Sequence, residues 1–414
     1  MPFNRTSTYV TIGLLLLLLA APTHGQGLGG FQIFAPADIS TYGGDPKPNE
    51  GYFFQFHGLY WSITPPEVHP VGYPGTRTVY YGIHPTGPLD TESDARIQSN
   101  TLDTSLFDNQ FRAGNRIDFG RIENRNGWFV SIFQLRDQLQ DYTAESADMV
   151  FNDPAFGPFG ERLLYGNVRN DTSTVPIHSP PVFRDLPVTF YDVLLEKKID
   201  TWGVEANYMH RFLTRRAGGT VELFLGARYF EFNEHFWVHT GASPAGLTVP
   251  SYLAGSYWDT DAENHIVGPQ IGLRWFKKQG RWMISTEGRF LAGLNYQNFH
   301  QKVDMGPNLD PGTIPTAAGP YYPPFEPKTM APTSATHSAY AREWSPAIEF
   351  RVEGRYQITR SISFHAGWSG MWIDGIARAT SVIDYTVPAM GLNLADNRED
   401  VFLNGLTIGF DVNR

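Results

Sequence analysis

Apolar and polar residues alternate with period two through much of the chain after its first fifty positions. Along 201–212, Trp202, Val204, Ala206, Tyr208 and Phe212 fall on one face, while Glu205, Asn207 and Arg211 fall on the other. The next stretch repeats the plan, with Val221, Leu223, Leu225, Ala227 and Tyr229 set against Glu222, Phe224, Gly226 and Arg228. From 345 to 358, Ile348, Phe350, Val352, Tyr356 and Ile358 oppose Glu349, Arg351, Glu353 and Arg355. Such alternation marks strands whose two faces meet different surroundings. Ten segments are predicted on this basis: 51–63, 110–122, 127–138, 190–213, 219–236, 262–276, 281–298, 343–358, 360–376 and 400–414.

The connections between these segments alternate in length. Short turns are expected at 123–126, 214–218, 277–280 and around Thr359; long connections cover 64–109, 139–189, 237–261, 299–342 and 377–399. Short turns on one side and long loops on the other are the habit of an outer-membrane barrel, whereas a soluble sandwich has no reason to sort its loops. The expected fold is therefore all-β: a single transmembrane antiparallel up-and-down β-barrel of about ten strands, with short periplasmic turns and long external loops. No segment beyond the leader approaches the ~18 apolar residues that a helical span requires.

The first residues change the domain reading. Arg5 precedes an apolar run from Ile12 to Ala21 holding six consecutive leucines, and Thr23 and Gly25 offer a small-residue cleavage site before Gln26. This predicts a cleaved signal peptide over 1–25, a Gly/Pro-rich periplasmic leader over 26–50, and the barrel over 51–414. The chain has no cysteine, which excludes a lipoprotein anchor, a disulfide framework and Cys-based metal or redox sites. Aromatics make up 14% of the chain and charged residues 18%, with 41 glycines and 30 prolines, a mixture that suits strands and turns over helices. A net charge of -10 supplies no basic stripe for nucleic acid.

Several blocks resemble a planctomycete β-barrel porin family of outer-membrane proteins. GYFFQFHGLYWSITPP from Gly51 is similar to an aromatic opening strand that runs into a Pro-rich loop, and AGNRIDFGRIENRNGWFVSIFQL from Ala113 to a first full hairpin. TWGVEANYMHRF from Thr201 and VELFLGARYFEFNE from Val221 resemble the central hairpin, including the elements Gly226, Arg228 and Tyr229. GPQIGLRWFKKQGRWMISTEGRFLAGLN from Gly268, EFRVEGRYQITRSISFHAGWSGMWI from Glu349 and NGLTIGFDVNR from Asn404 complete the resemblance in order. It implies an outer-membrane barrel, and more distantly a porin.

Polar faces turned inward would line the lumen with Arg116, Asp118, Glu205, Arg211, Glu222, Arg228, Arg274, Glu287, Arg289, Glu349, Arg351, Glu353 and Arg355. These are either a charge-selective pore lining or an ion-pair network that fills the interior. About ten strands favour the packed or constricted lumen, because open aqueous porins have ~16 to 18. Trp202, Tyr208, Phe212, Tyr229, Trp275, Trp282, Tyr296, Tyr356 and Trp372 sit toward segment ends, where membrane-interface girdles belong. The final strand alternates Leu406, Ile408, Phe410 and Val412 with Thr407, Gly409, Asp411 and Asn413, and would engage the barrel-insertion machinery although it ends on Arg414 and not on an aromatic.

Chemistry is sparse. His235 and His239 are four apart, but on strand and loop, with no HExxH motif and no third ligand evident, so a surface loop is expected. Asp259, Asp261 and Glu263 could hold calcium or a sugar; an acidic loop with ordinary solvation is the expectation, because the EF-hand pattern is absent. His69, His84 and His178 lack a partner motif, no Gly-x-Ser-x-Gly elbow occurs, and PYYPPFEP within 311–332 reads as an extended external loop. No enzyme, metal or cofactor is implied. The expected function is a porin passing small hydrophilic solutes through a charged, narrow lumen, in contact with outer-membrane lipid. The alternatives are a structural or adhesive barrel with a sealed lumen and exposed loops, and a soluble secreted carbohydrate-binding β-protein.

Overall fold

The structure is a computed structural model that describes residues 51–71, 78–81, 95–98, 102–145, 164–169, 185–190, 192–212, 219–240, 255–305, 333–359, 361–385 and 391–413. The expected leader over 1–50, the turn at 214–218, the Pro-rich stretch 311–332, His84, His178 and Arg414 lie outside the described residues.

Twelve strands share one antiparallel sheet: β1 (Gly51–Ile63), β2 (Phe111–Glu123), β3 (Asn126–Glu145), β4 (Asp192–Arg211), β5 (Thr220–Thr240), β6 (Tyr257–Gln279), β7 (Trp282–Leu291), β8 (Leu294–Met305), β9 (Thr333–Trp344), β10 (Ala347–Gln357), β11 (Ile362–Ile376) and β12 (Glu399–Asn413). The path runs β5-β4-β3-β2-β1-β12-β11-β10-β7-β6, and β6 pairs back onto β5. This closes a ten-stranded ring. β8 prolongs β7 beyond a break at Ala292-Gly293, and β9 runs into β10 across Ser345-Pro346, so neither adds a wall position. The all-β barrel expected from alternation is thus present, and all ten expected segments have counterparts. Closure leaves no edge in the spanning part, which is what a sheet in hydrocarbon requires.

Turn chemistry follows residue type. β2 and β3 are joined at Asn124-Arg125, with Asn124 at φ +55, and β6 and β7 at Gly280-Arg281, with Gly280 at φ +60. Asn and Gly tolerate that left-handed backbone. Both turns and the two ends of the described barrel lie at one end of the ring; the strand ends that the long connections join lie at the other.

Outward side chains form an apolar band. On β4 they are Trp202, Val204, Ala206 and Tyr208, followed by Phe212, and on β6 they run from Val267 through Ile271 and Leu273 to Trp275. Tyr208 is 51% and Trp282 61% exposed. Ten residues between the two aromatic levels, at ~3.3 Å each and tilted ~40°, span about 25 Å, the height of an outer-membrane apolar band. A soluble carbohydrate-binding protein would have needed a polar outer face here.

Several strands continue past this band. β4 stays within its expected span from 192 upward, and β3, β5, β6, β8 and β9 run beyond the ends expected from alternation, for example to Thr240 in β5 and from Tyr257 in β6. Their polarity inverts as they do so. On β5, Glu231, Asn233, His235, Trp237 and His239 face out, while Phe230, Phe232, Phe236 and Val238 are buried inside. The six strands therefore project a curved wall above the membrane, with its apolar side turned inward. A strand that leaves lipid for water must exchange its faces to keep its apolar side dry.

Candidate functional site: the barrel lumen

The inward side chains form layers. Toward the short turns, Ile122, Phe129, Met209 and Phe224 pack together. Around and above them lies a belt of charge. Arg116 on β2 bonds Asp118 at 2.8 Å and reaches Glu205 on β4 at 3.3 Å and Glu349 on β10 at 3.8 Å. Arg228 on β5 donates to Glu349 at 2.7 Å, and Arg289 on β7 pairs with Glu205 and Glu287. Arg351 joins Glu349 to Glu287, Arg274 joins Glu287 at 2.6 Å to Glu222 at 3.3 Å, and Arg211 closes on Glu222 at 2.6 Å. Arg355 forms an ion pair with Asp411 at 2.8 Å, and Glu353 shares the inward parity of β10 beside it.

All thirteen charged candidates thus lie on inward-facing positions. The pairs Arg116–Glu349, Arg228–Glu349 and Arg289–Glu205 join strands that are not neighbours in the ring, so they cross the bore. Each charge in such a belt is desolvated, and removal of one partner leaves the other uncompensated. The nine aromatic candidates all fall on the outer parity. Tyr208, Phe212, Trp275, Trp282 and Tyr356 lie near the short-turn end, and Trp202, Tyr229, Tyr296 and Trp372 lie toward the other boundary.

Several lumen residues escape single-strand reading. His57 on β1 and His365 on β11 meet at 2.8 Å although β12 runs between them. Gly409, the register partner of both, makes this approach possible, because a side chain there would overlap the His365 ring and the Phe56 carbonyl. The outer nitrogens of the pair lie 3.4 Å from Asp118 and 3.3 Å from Asp411.

Above the charge belt the lumen turns apolar. Trp61, Phe133, Leu135, Phe230, Phe232 and Met371 belong to one buried cluster. Above it, the segment after β11 turns inward: Ala377, Ala379, Val382, Ile383 and Tyr385 are buried among Phe236, Val238, Trp258, Phe299 and Phe107. The first part of this connection, 377–385, expected to be an external loop, is a plug. Arg378 anchors it, fully buried, bonding Glu234 at 2.7 Å and the carbonyl of Thr64 at 2.9 Å. Asn264 fixes the same turn through both atoms of its amide, donating to the Ala377 carbonyl and accepting from the Ala377 N–H.

The electrostatics of the plug are set by burial. Lys197 on β4, above the apolar band, lies 4.5 Å from the Phe107 ring, and burial lowers its ammonium to about 8. Burial pushes the Glu399 carboxyl up, but the hydrogen bond from His69 and the nearby Arg378 guanidinium outweigh it and hold it below the usual range. Burial pushes the Tyr385 phenol up. His69 therefore has a partner after all, one 330 positions away at 2.8 Å.

Two expectations need correction. His235 and His239 are not in a surface loop, and Asp259, Asp261 and Glu263 are not in an acidic loop: all five lie on β5 and β6, facing outward from the projecting wall. The expected strands end at 236 and begin at 262, whereas β5 runs on to Thr240 and β6 starts at Tyr257.

From residue 88 to residue 413 the sequence matches the family described as Putative beta barrel porin-7 (BBP7). A search of curated proteins finds no match. Similar solved structures include the toluene transporter TbuX of Ralstonia pickettii, at 10% identity over 88% of this chain and 90% of that one, with a TM-score of 0.25. A FadL homologue of Pseudomonas aeruginosa is 8% identical over 87% of this chain and 89% of that one, at a TM-score of 0.26. The toluene transporter TodX of Pseudomonas putida is 8% identical over 89% and 91%, at 0.18. Scores this low carry no structural inference; the family match does. An apolar outer band, a closed ten-stranded ring and that match agree: the chain belongs to the BBP7 family of β-barrel porins, outer-membrane barrels.

Proposed function

We propose that the barrel is a gated porin: small hydrophilic solutes pass along its charged lumen when the 377–385 segment is drawn out, and the plugged conformation conducts little. The observation that carries this reading is the stacking of a charged bore beneath an inward-folded segment anchored through Arg378 and Glu234. Water and ions follow polar linings, and the apolar layer above the belt is the barrier that the plug completes. A cleaved leader, the envelope of a Gram-negative-type cell and engagement of the insertion machinery through β12 belong to the same reading.

Single-channel recording in planar bilayers tests it. The wild-type barrel is expected to stay closed for most of the record, and Arg378→Ala to show frequent open steps. A second reading, a sealed structural barrel with exposed loops, is favoured by the pairs that cross the bore, such as Arg228–Glu349. Silence from both wild type and Arg378→Ala, with folding shown by a heat-modifiable gel shift, would establish the sealed barrel instead.

A further inference from the structure

Two features that look unrelated in sequence, the histidine pair at 235 and 239 and the acidic run 259–263, are brought onto one outward patch by the β5–β6 pairing. His235 is the register partner of Asp261, and Trp237 of Asp259. His235 Nδ1 lies 2.9 Å from Asp261 Oδ1 and 3.4 Å from Asp259 Oδ1. One ligand atom from each of the three residues lies within 4.8 Å of the other two. We propose that His235, Asp259 and Asp261 form a binding site for one borderline divalent transition ion of the zinc type, on the outer face of the wall that projects above the membrane.

The distances suit such an ion. Bonds of ~2.0–2.2 Å at tetrahedral or octahedral angles place donor atoms roughly 3.0–3.5 Å apart, close to the two distances from His235 Nδ1. One imidazole nitrogen with two carboxylates selects a borderline metal over calcium or magnesium, which take oxygen donors alone. Two carboxylates also balance the dication's charge.

A second observation comes from Asp259. Its Oδ1 atom is buried without a hydrogen-bond donor, although the residue lies at the surface. Lys302, its register partner on β8, extends instead over the Tyr257 ring, at 5.4 Å. His300 on β8 is the register partner of Asp261 on its other side, so a further nitrogen stands in the same row. A simple His–Asp ion pair would satisfy one carboxylate and leave the second oxygen without a donor; a cation satisfies both. The strand scaffold adds rigidity, since the donors sit on paired strands and not on loops. An ion here would pin β5 to β6 roughly 15 Å above the apolar band, where lipid no longer supports the wall.

The test uses the whole protein, folded in detergent, stripped with EDTA and desalted. Zn²⁺ is titrated against a chromophoric chelator, and Cu²⁺ is added in parallel for electron paramagnetic resonance. One Zn²⁺ per chain is expected, with affinity weakened roughly tenfold or more in His235→Gln and in Asp261→Asn, and unchanged in His210→Gln at the short-turn end. The copper spectrum should carry nitrogen splitting that His235→Gln removes. A heat-modifiable gel shift shows that each variant is folded. No Zn²⁺ bound by wild type, or binding and copper spectra that survive both substitutions, would overturn the site.

Discussion

Gly409 and Lys197 show how single residues set what the lumen holds. At Gly409 the absence of a side chain lets two histidines meet across an intervening strand. Gly409→Ala is expected to lower stability by about 1–3 kcal/mol, the usual cost of forcing extra volume into packed surroundings, read as a lower urea midpoint for the folded barrel. Lys197 gives a pH signature. Its folded value is about 8 against 10.5 for an ordinary lysine. Between those values the unfolded chain holds a proton that the folded chain has released, so stability rises with pH across that window. Below it the buried ammonium costs on the order of 3 kcal/mol. Lys197→Met should therefore flatten the rise between about pH 8 and pH 10.5; an unchanged slope would place the titration elsewhere.

Among the elements, β5 and β6 are the most informative, because each strand is amphipathic twice with opposite phase. Below Tyr229 the apolar residues of β5 face out, and above it they face in. β3 reverses its parity by a different device. Between Leu135 and Gln138 it carries an extra residue relative to Ile199 and Thr201 of β4, a bulge that flips the phase beyond it. Beyond the bulge, the amides of Gln138 and Gln140 donate inward to the carbonyls of Gln110 and Asp108. Deleting Asp137 should turn both amides outward and release 104–110. Limited proteolysis should then nick that segment faster while the heat-modifiable band persists; protection equal to wild type would show that the bulge does not set the phase.

At the scale of the molecule, a lipid-spanning ring carries a partial wall that is built like a soluble sheet, with its apolar face folded over a plug. Substitutions should therefore cost according to height. Leu225 faces lipid near the middle of the apolar band, and Leu225→Arg is expected to destabilise by about 2–4 kcal/mol. His239→Arg, outward at the top of β5, should be within error of wild type. Unfolding midpoints from lipid vesicles separate the two cases, and equal costs would remove the distinction between spanning and projecting parts.

Alternation along the chain was sufficient to predict about ten spanning segments, the sorting of short and long connections and the inward set of arginines and glutamates. These follow from local physics, since period-two patterning and turn chemistry need only neighbours in sequence. Projection above the membrane left a trace, the phase inversion at Tyr229, but the expected strand stops at 236 where the structure carries it on to Thr240. The plug, the pairs across the bore, the His57–His365 contact and the His235–Asp261 row left no such trace. Each joins residues far apart in the chain whose meeting depends on register, tilt and closure, and those are decided only when the whole sheet closes on itself.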